Sequence, residues 1–233
     1  MAFFDQNGRS LLYHQWLAVF GPSYFRCGPP LGRRVNKRNQ SSQFIENQID
    51  AVLAQSGPLL QVDLTLALAW KIGAIDHRAS TASVVWNPAN FPTALIGGRY
   101  KWNFSQSIPY LATNMATIVN QLAANPAYLL NLRLPVPGTG LGPTNKLAIQ
   151  FFITHGSEPI YDVYAHKGAL AIDQNLSTVP PRQPVAGYKP VQTWGDYQDF
   201  KCLLRRIGLQ ACGGMFVSRD DDRALWVYGH LFK

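Results

Sequence analysis

The chain has 233 residues, 21 of them Lys or Arg against 13 Asp or Glu, so its formal net charge is +8. With 47% hydrophobic residues it has ample material for a buried core, which excludes an intrinsically disordered chain. No stretch approaches the roughly 20 apolar residues of a membrane span, and the longest apolar run, Leu64 to Trp70, is closed by Lys71.

The N-terminus, Met1-Ala2-Phe3-Phe4-Asp5, has neither a basic head nor an apolar core, so no secretory signal is expected. Three cysteines, Cys27, Cys202 and Cys212, are too few and too scattered for a disulfide framework. A zinc site from Cys202, Cys212 and His230 lacks the short ligand spacing such sites use, and no metal is expected. These readings describe a soluble cytoplasmic chain that works as a monomer.

The first structured feature in chain order is a basic loop. No acidic residue falls between Asp5 and Glu46, while Arg9, Arg26, Arg33, Arg34, Lys37 and Arg38 do. Gly28-Pro29-Pro30-Leu31-Gly32 interrupts any helix there. Arg33, Arg34, Lys37 and Arg38 are therefore candidate contacts to a polyanion, as is the later Arg99-Tyr100-Lys101-Trp102, where cations alternate with rings. The bland alternative is a solubilising surface.

Ile45, Ile49, Val52 and Leu53 recur at helical spacing behind the cap candidates Ser41 and Ser42. Ala79 to Phe104 reads mostly as loop, with short strands conceivable at Ser83–Trp86 and Ala94–Ile96. Leu111, Met115, Ile118, Val119 and Leu122 predict one helix, and Asn125-Pro126 predicts the cap and first residue of another running to about Leu132. A glycine-rich turn follows, Gly138-Thr139-Gly140-Leu141-Gly142, and a further helix leaves from Pro143. Asp162 opens the next helix. Asp173 to Gln192, with four prolines, reads as an extended surface connection. Phe200, Leu203, Leu204 and Ile207 form an apolar face capped by Thr193 or Asp196 and stopped by Gly208. A last stripe, Leu225, Tyr228 and Phe232, starts from the acidic run Asp220-Asp221-Asp222.

The fold class is thus mainly α, a two-lobed helical bundle with a cleft between the lobes. Residues 1–104 would form an N-terminal lobe with basic and aromatic loops, and residues 105–233 a lobe carrying the glycine turn and Asp162; a single compact domain is the alternative.

The turn between helices carries the functional reading. Gly138, Gly140 and Gly142 let the backbone approach a ligand, and amides at the start of the second helix suit a phosphate. Such a clamp grips the sugar–phosphate backbone and confers position rather than sequence choice. After the second helix come Pro159-Ile160-Tyr161-Asp162 and then Lys167, an interval that fits one helix and a short loop after Thr144.

In Gly140-Leu141-Gly142-Pro143, Pro159-Ile160-Tyr161-Asp162 and Lys167, the chain resembles the helix-hairpin-helix DNA glycosylase superfamily, nearest to its bacterial branch with an 8-oxoguanine-glycosylase-like fold. The firm resemblance covers about residues 125 to 172. It implies double-stranded DNA as partner, Gly138, Gly140, Gly142, Thr144 and Lys167 as backbone contacts, and Asp162 as the catalytic carboxylate. It implies no cofactor, with room for a structural monovalent cation at the hairpin carbonyls.

One departure bears on mechanism. Members that form a Schiff base carry a lysine where this chain has Thr144; Lys146 lies two residues on, about 200° around a helix. The expected enzyme is monofunctional, and Lys146 is catalytic only in a bifunctional alternative. The target base must leave the stack, which calls for a ring-lined pocket. Trp70, Tyr161, Trp194 and Tyr197 are candidates for it, each equally at home in an ordinary core, and the Trp86–Trp102 loop is the candidate wedge. An 8-oxoguanine-like lesion, or a modified base of phage DNA removed in antiviral defence, is the implied target. The competing readings are a non-catalytic helix-hairpin-helix DNA-binding protein and a structural protein whose basic face is incidental.

Overall fold

The computed structural model describes residues 1–24, 42–71, 107–134, 141–209 and 218–233. The basic loop with Arg33, Arg34, Lys37 and Arg38, the expected strands within 79–104, the Trp86–Trp102 loop, and Gly138 and Gly140 lie outside them. The chain is mainly helical. Its compact units are residues 1–40 with 157–233, and residues 41–156. Their boundaries do not fall at 104/105: the N-terminal segment belongs with the C-terminal helices.

The first unit opens on a hairpin, β1 (Phe3–Phe4) against β2 (Ser10–Leu11), antiparallel. The Asp5 carboxylate holds its turn by accepting from the amides of Asn7 and Arg9, and Gly8 supplies the left-handed residue at φ +78°. Helix α1 (Tyr13–Ser23) buries Trp16 and Phe20. Helix α8 (Val163–Asp173), α9 (Trp194–Arg206) and α10 (Arg219–Gly229) complete the unit. In their caps, Ser218 and Thr193 behave as short polar caps should, and Asp196 returns a bond to the Thr193 amide. Gly208, at φ +71°, ends α9.

Helix α10 lies between α1 and α8. Against α1 it places Tyr228 edge-on to Trp16 and Phe20, at centroid distances of 5.9 and 5.1 Å. Against α8 it comes so close that Gly168 faces Gly229: a Cβ on Gly229 would stand 1.8 Å from the Tyr164 carbonyl oxygen. Helix α9 packs on the other flank of α8, and Arg206 pairs with Asp173 through two bonds of 2.6 and 2.7 Å. After Asp173 ends α8, residues 174–192 contain no helix or strand, as expected, but they are docked rather than merely superficial. Thr178, Val185 and Val191 are buried, and the Arg182 amide donates to the Leu231 carbonyl.

The second unit contains α2 (Ser42–Leu53), α3 (Gln61–Lys71), helical residues 107–113 (α4), α5 (Met115–Ala124), α6 (Tyr128–Asn131) and α7 (Pro143–Ile153). Helix α7 is buried from Leu147 through Ile153, the signature of a central helix, and both α3 and α6 pack on it. The single helix expected through Leu111–Leu122 is broken at Asn114, whose side-chain amide donates to the Tyr110 carbonyl. Asn125 is not the cap of the next helix. Its side chain accepts from the Ala127 amide in a turn, and α6 starts only at Tyr128.

Candidate active site

The two halves of the expected machinery belong to different units: Gly142, Thr144 and Lys146 to residues 41–156, and Asp162 and Lys167 to the other. At the start of α7, Gly142 is the N-cap, with φ −64° and ψ 160°. A Cβ added there meets nothing within 4 Å among the described residues. No side chain caps this end, Pro143 contributes no N–H, and the amides of Asn145 and Lys146 turn back onto the Gly142 carbonyl. Thr144 is half-buried.

Lys146 has a definite position. Its Nζ donates to the carbonyls of Leu130 and Leu132, at 2.8 and 2.7 Å. Those carbonyls lie at the C-terminal end of α6, where helical partners run out. The ammonium therefore clasps the helix before the glycine turn to the helix after it. Burial lowers its pKa.

Asp162 is the N-cap of α8, and its Oδ1 accepts from the Tyr164 amide at 2.8 Å. Around it the chain assembles rings and a cation. Tyr164, 38% exposed, stacks on His230 at a centroid separation of 3.5 Å and an interplanar angle of 18°. Trp226 stands beside that stack, 4.1 Å from His230, and meets Tyr24 edge-on. The Lys167 ammonium lies 5.9 Å from the centre of the Tyr164 ring and 5.1 Å from that of Tyr188. Tyr188 in turn shares a hydrogen bond with Tyr161. Burial raises the pKa of Tyr161 and Tyr188 and lowers that of His230, and the negative charge of Asp162 is felt by all three, pushing each upward.

The expected pocket rings take up other tasks. Tyr161 is fully buried; its hydroxyl accepts from the Val191 amide and its ring meets Phe200 edge-on. Tyr197 is buried too, with its hydroxyl donating to the Pro159 carbonyl at 2.5 Å. Trp194 is tilted against Tyr197, and Lys201, paired with Glu158 at 2.7 Å, lies near both rings. Trp70 belongs to the other unit, where its indole donates to Glu46 and its ring meets Phe152 edge-on. Of the three in the first unit, Tyr161 adjoins the Asp162 cluster.

His166, one turn into α8, is buried among Tyr161, Tyr188 and Phe200, and its Nδ1 has no hydrogen-bond partner among the described residues. Burial pushes its pKa down to about 4. A cavity of about 390 Å³ in residues 41–156 is lined by Pro58, Leu59, Met115, Val119 and His155, among others, with no carboxylate among the described lining residues.

The rings that sequence reasoning missed are Tyr164, Tyr188, Trp226 and His230. Trp226 and His230 carry a local signal, being one turn apart at the end of an apolar stripe. Nothing local joins them to Asp162; that juxtaposition follows from the Gly168–Gly229 crossing. Comparison with protein-family models finds no match, and comparisons with curated proteins and with solved structures find no significant one.

Proposed function

We propose that the chain is a DNA glycosylase of the helix-hairpin-helix kind. A two-lobed helical body would clamp duplex DNA through the 138–144 turn, extrude a damaged or modified base, and hydrolyse its N-glycosidic bond at Asp162. The observation that carries this reading is the setting of Asp162. A carboxylate at a helix N-terminus, oriented by an amide, is flanked by the half-exposed Tyr164–His230 stack and by Lys167. Rings of this kind suit a flat heterocycle, a cation suits a phosphate, and the carboxylate suits the oxocarbenium-like sugar formed as the C1′–N bond opens.

The bonding of Lys146 to two carbonyls supports the hydrolytic, monofunctional form over an amine nucleophile. That a Cβ at Gly142 meets no atom of the described residues within 4 Å supports close approach of a backbone phosphate. An 8-oxoguanine-like lesion and a modified base of phage DNA are the two substrate classes proposed. The test is a panel of duplexes, each with one modified base, scored for abasic sites. Excision from at least one, abolished in Asp162→Asn, is expected; no excision from any would sink the enzymatic reading.

One observation favours a second reading. The bond from the Tyr164 amide to Asp162 is also what any ordinary N-cap makes. A non-catalytic helix-hairpin-helix DNA-binding protein would bind DNA with the same salt dependence in Asp162→Asn as in wild type.

A further inference from the structure

His230 follows α10, whose last turn has carbonyls without helical amide partners. Its own amide turns to the Val227 carbonyl, and its ring Nδ1 lies 2.7 Å from the Trp226 carbonyl oxygen. A carbonyl only accepts, so Nδ1 carries the hydrogen and Nε2 presents a lone pair. The ring is clamped on one face by Tyr164 and at its side by Trp226. Tyr164 is also the residue whose amide orients Asp162. One residue thus fixes both a carboxylate and an imidazole with a defined basic nitrogen.

We propose that His230 is the proton-transfer residue of the Asp162 site, a step that rests on the glycosylase reading. Water adds its oxygen to C1′ as the C1′–N bond breaks and its electron pair leaves with the base. One proton of that water passes to His230 Nε2 and then to the departing nitrogen. Asp162 stays ionised throughout, stabilising the positive sugar. One water is consumed, and base and sugar each leave neutral.

The charged and titratable groups of α8 that face the ring fit this division of labour. Asp162 favours the imidazolium that forms in transit, while Lys167 and burial oppose it at rest, so that the resting ring is a neutral base. Tyr164 adds its face.

Two measurements on the full chain test the step. The first follows the His230 imidazole by NMR titration, assigned by the signal lost in His230→Phe. Removing the charge in Asp162→Asn should lower its pKa; an unchanged value would overturn the coupling. The second is single-turnover excision against pH with the duplex that the wild type cleaves best. The rate should fall on the acid side as His230 protonates. His230→Phe, which keeps the stacked ring, should lose about 10²- to 10⁴-fold in single-turnover rate, and that acid limb with it. His230→Gln should behave the same if the Phe variant does not fold. Wild-type excision with a variant that keeps both rate and profile sinks His230 alone. A wild type that excises nothing sinks the glycosylase reading and this step with it, whatever the titration gives.

Discussion

Gly229→Ala puts one methyl group where α10 crosses α8. The new carbon would lie 1.8 Å from the Tyr164 oxygen, 2.5 Å from its carbonyl carbon and 3.1 Å from the Gly168 nitrogen. Contacts below 3.0 Å do not persist, and all three neighbours are backbone, so no side chain can swing aside. The helices must separate by more than 1 Å. That movement also opens the contact at Gly168, whose own Cβ position is 2.7 Å from the Leu225 oxygen. Overpacking costs about 1–3 kcal/mol where side chains can adjust. With backbone on both sides the cost should reach about 3 kcal/mol or more, a large part of ordinary domain stability. In a chain of this size that corresponds to a fall in Tm of roughly 6–12 °C. Differential scanning calorimetry measures it. Because Tyr164 also stacks on His230 and its amide donates to Asp162, the proposed excision should fall in parallel, even well below the melting transition. A variant within about 2 °C of wild type would refute the close crossing, and with it the basis for placing His230 beside Asp162.

Gly142→Ala should change Tm by less than about 2 °C, since its φ is ordinary and its Cβ meets nothing within 4 Å among the described residues, yet weaken DNA binding if a phosphate approaches there; a filter-binding titration decides. Lys146→Met strips a donor from two carbonyls and should cost about 1–3 kcal/mol in urea unfolding, while borohydride should trap no wild-type covalent adduct with abasic DNA. Asp162→Asn keeps a good cap and should leave stability nearly unchanged, whereas Asp162→Ala should cost about 1 kcal/mol, both read from thermal melts. His166 binds its proton less readily folded, near pH 4, than unfolded, near 6.5, so the unfolded chain takes up more protons between those values. Stability is then fully present above pH 6.5 and falls as pH drops towards 4, by up to about 3 kcal/mol. In His166→Phe, urea midpoints at pH 7 and 5 should lie closer together than in wild type.

What was legible in the sequence is what short-range chemistry decides. Apolar spacing located α2, α9 and α10, the glycine-rich turn located the start of α7 at Pro143, and Asp162 behaves at the head of α8 as a short acceptor beside helical amides should. Helix α1 escaped because Gly21 and Pro22 look like a break; in the last turn the proline removes a single N–H, and the Ser23 hydroxyl donates to the Val19 carbonyl there. Asn114 and Asn125 misled for one reason: a short amide side chain competes with helical bonds either as a cap or as a turn, and only the surroundings choose.

The site was half legible for a deeper reason. A carboxylate before a helix is a local pattern, but its chemistry depends on what a distant helix brings to it, and that depends on approach distance. Two glycines with no side chain to display set that distance between α8 and α10. Their signal is an absence, spread over two segments, and each alone reads as an ordinary helical glycine. Tyr188 escaped similarly: in a proline-rich connection without periodicity, nothing announces that its hydroxyl will meet Tyr161. The rings chosen from sequence were the largest apolar ones, and large apolar rings are what a core consumes, as Tyr161 and Tyr197 were. Rings left for a ligand should instead be those that keep some exposure beside a charge, and Tyr164, with Asp162 on its amide and Lys167 near its ring, meets that condition.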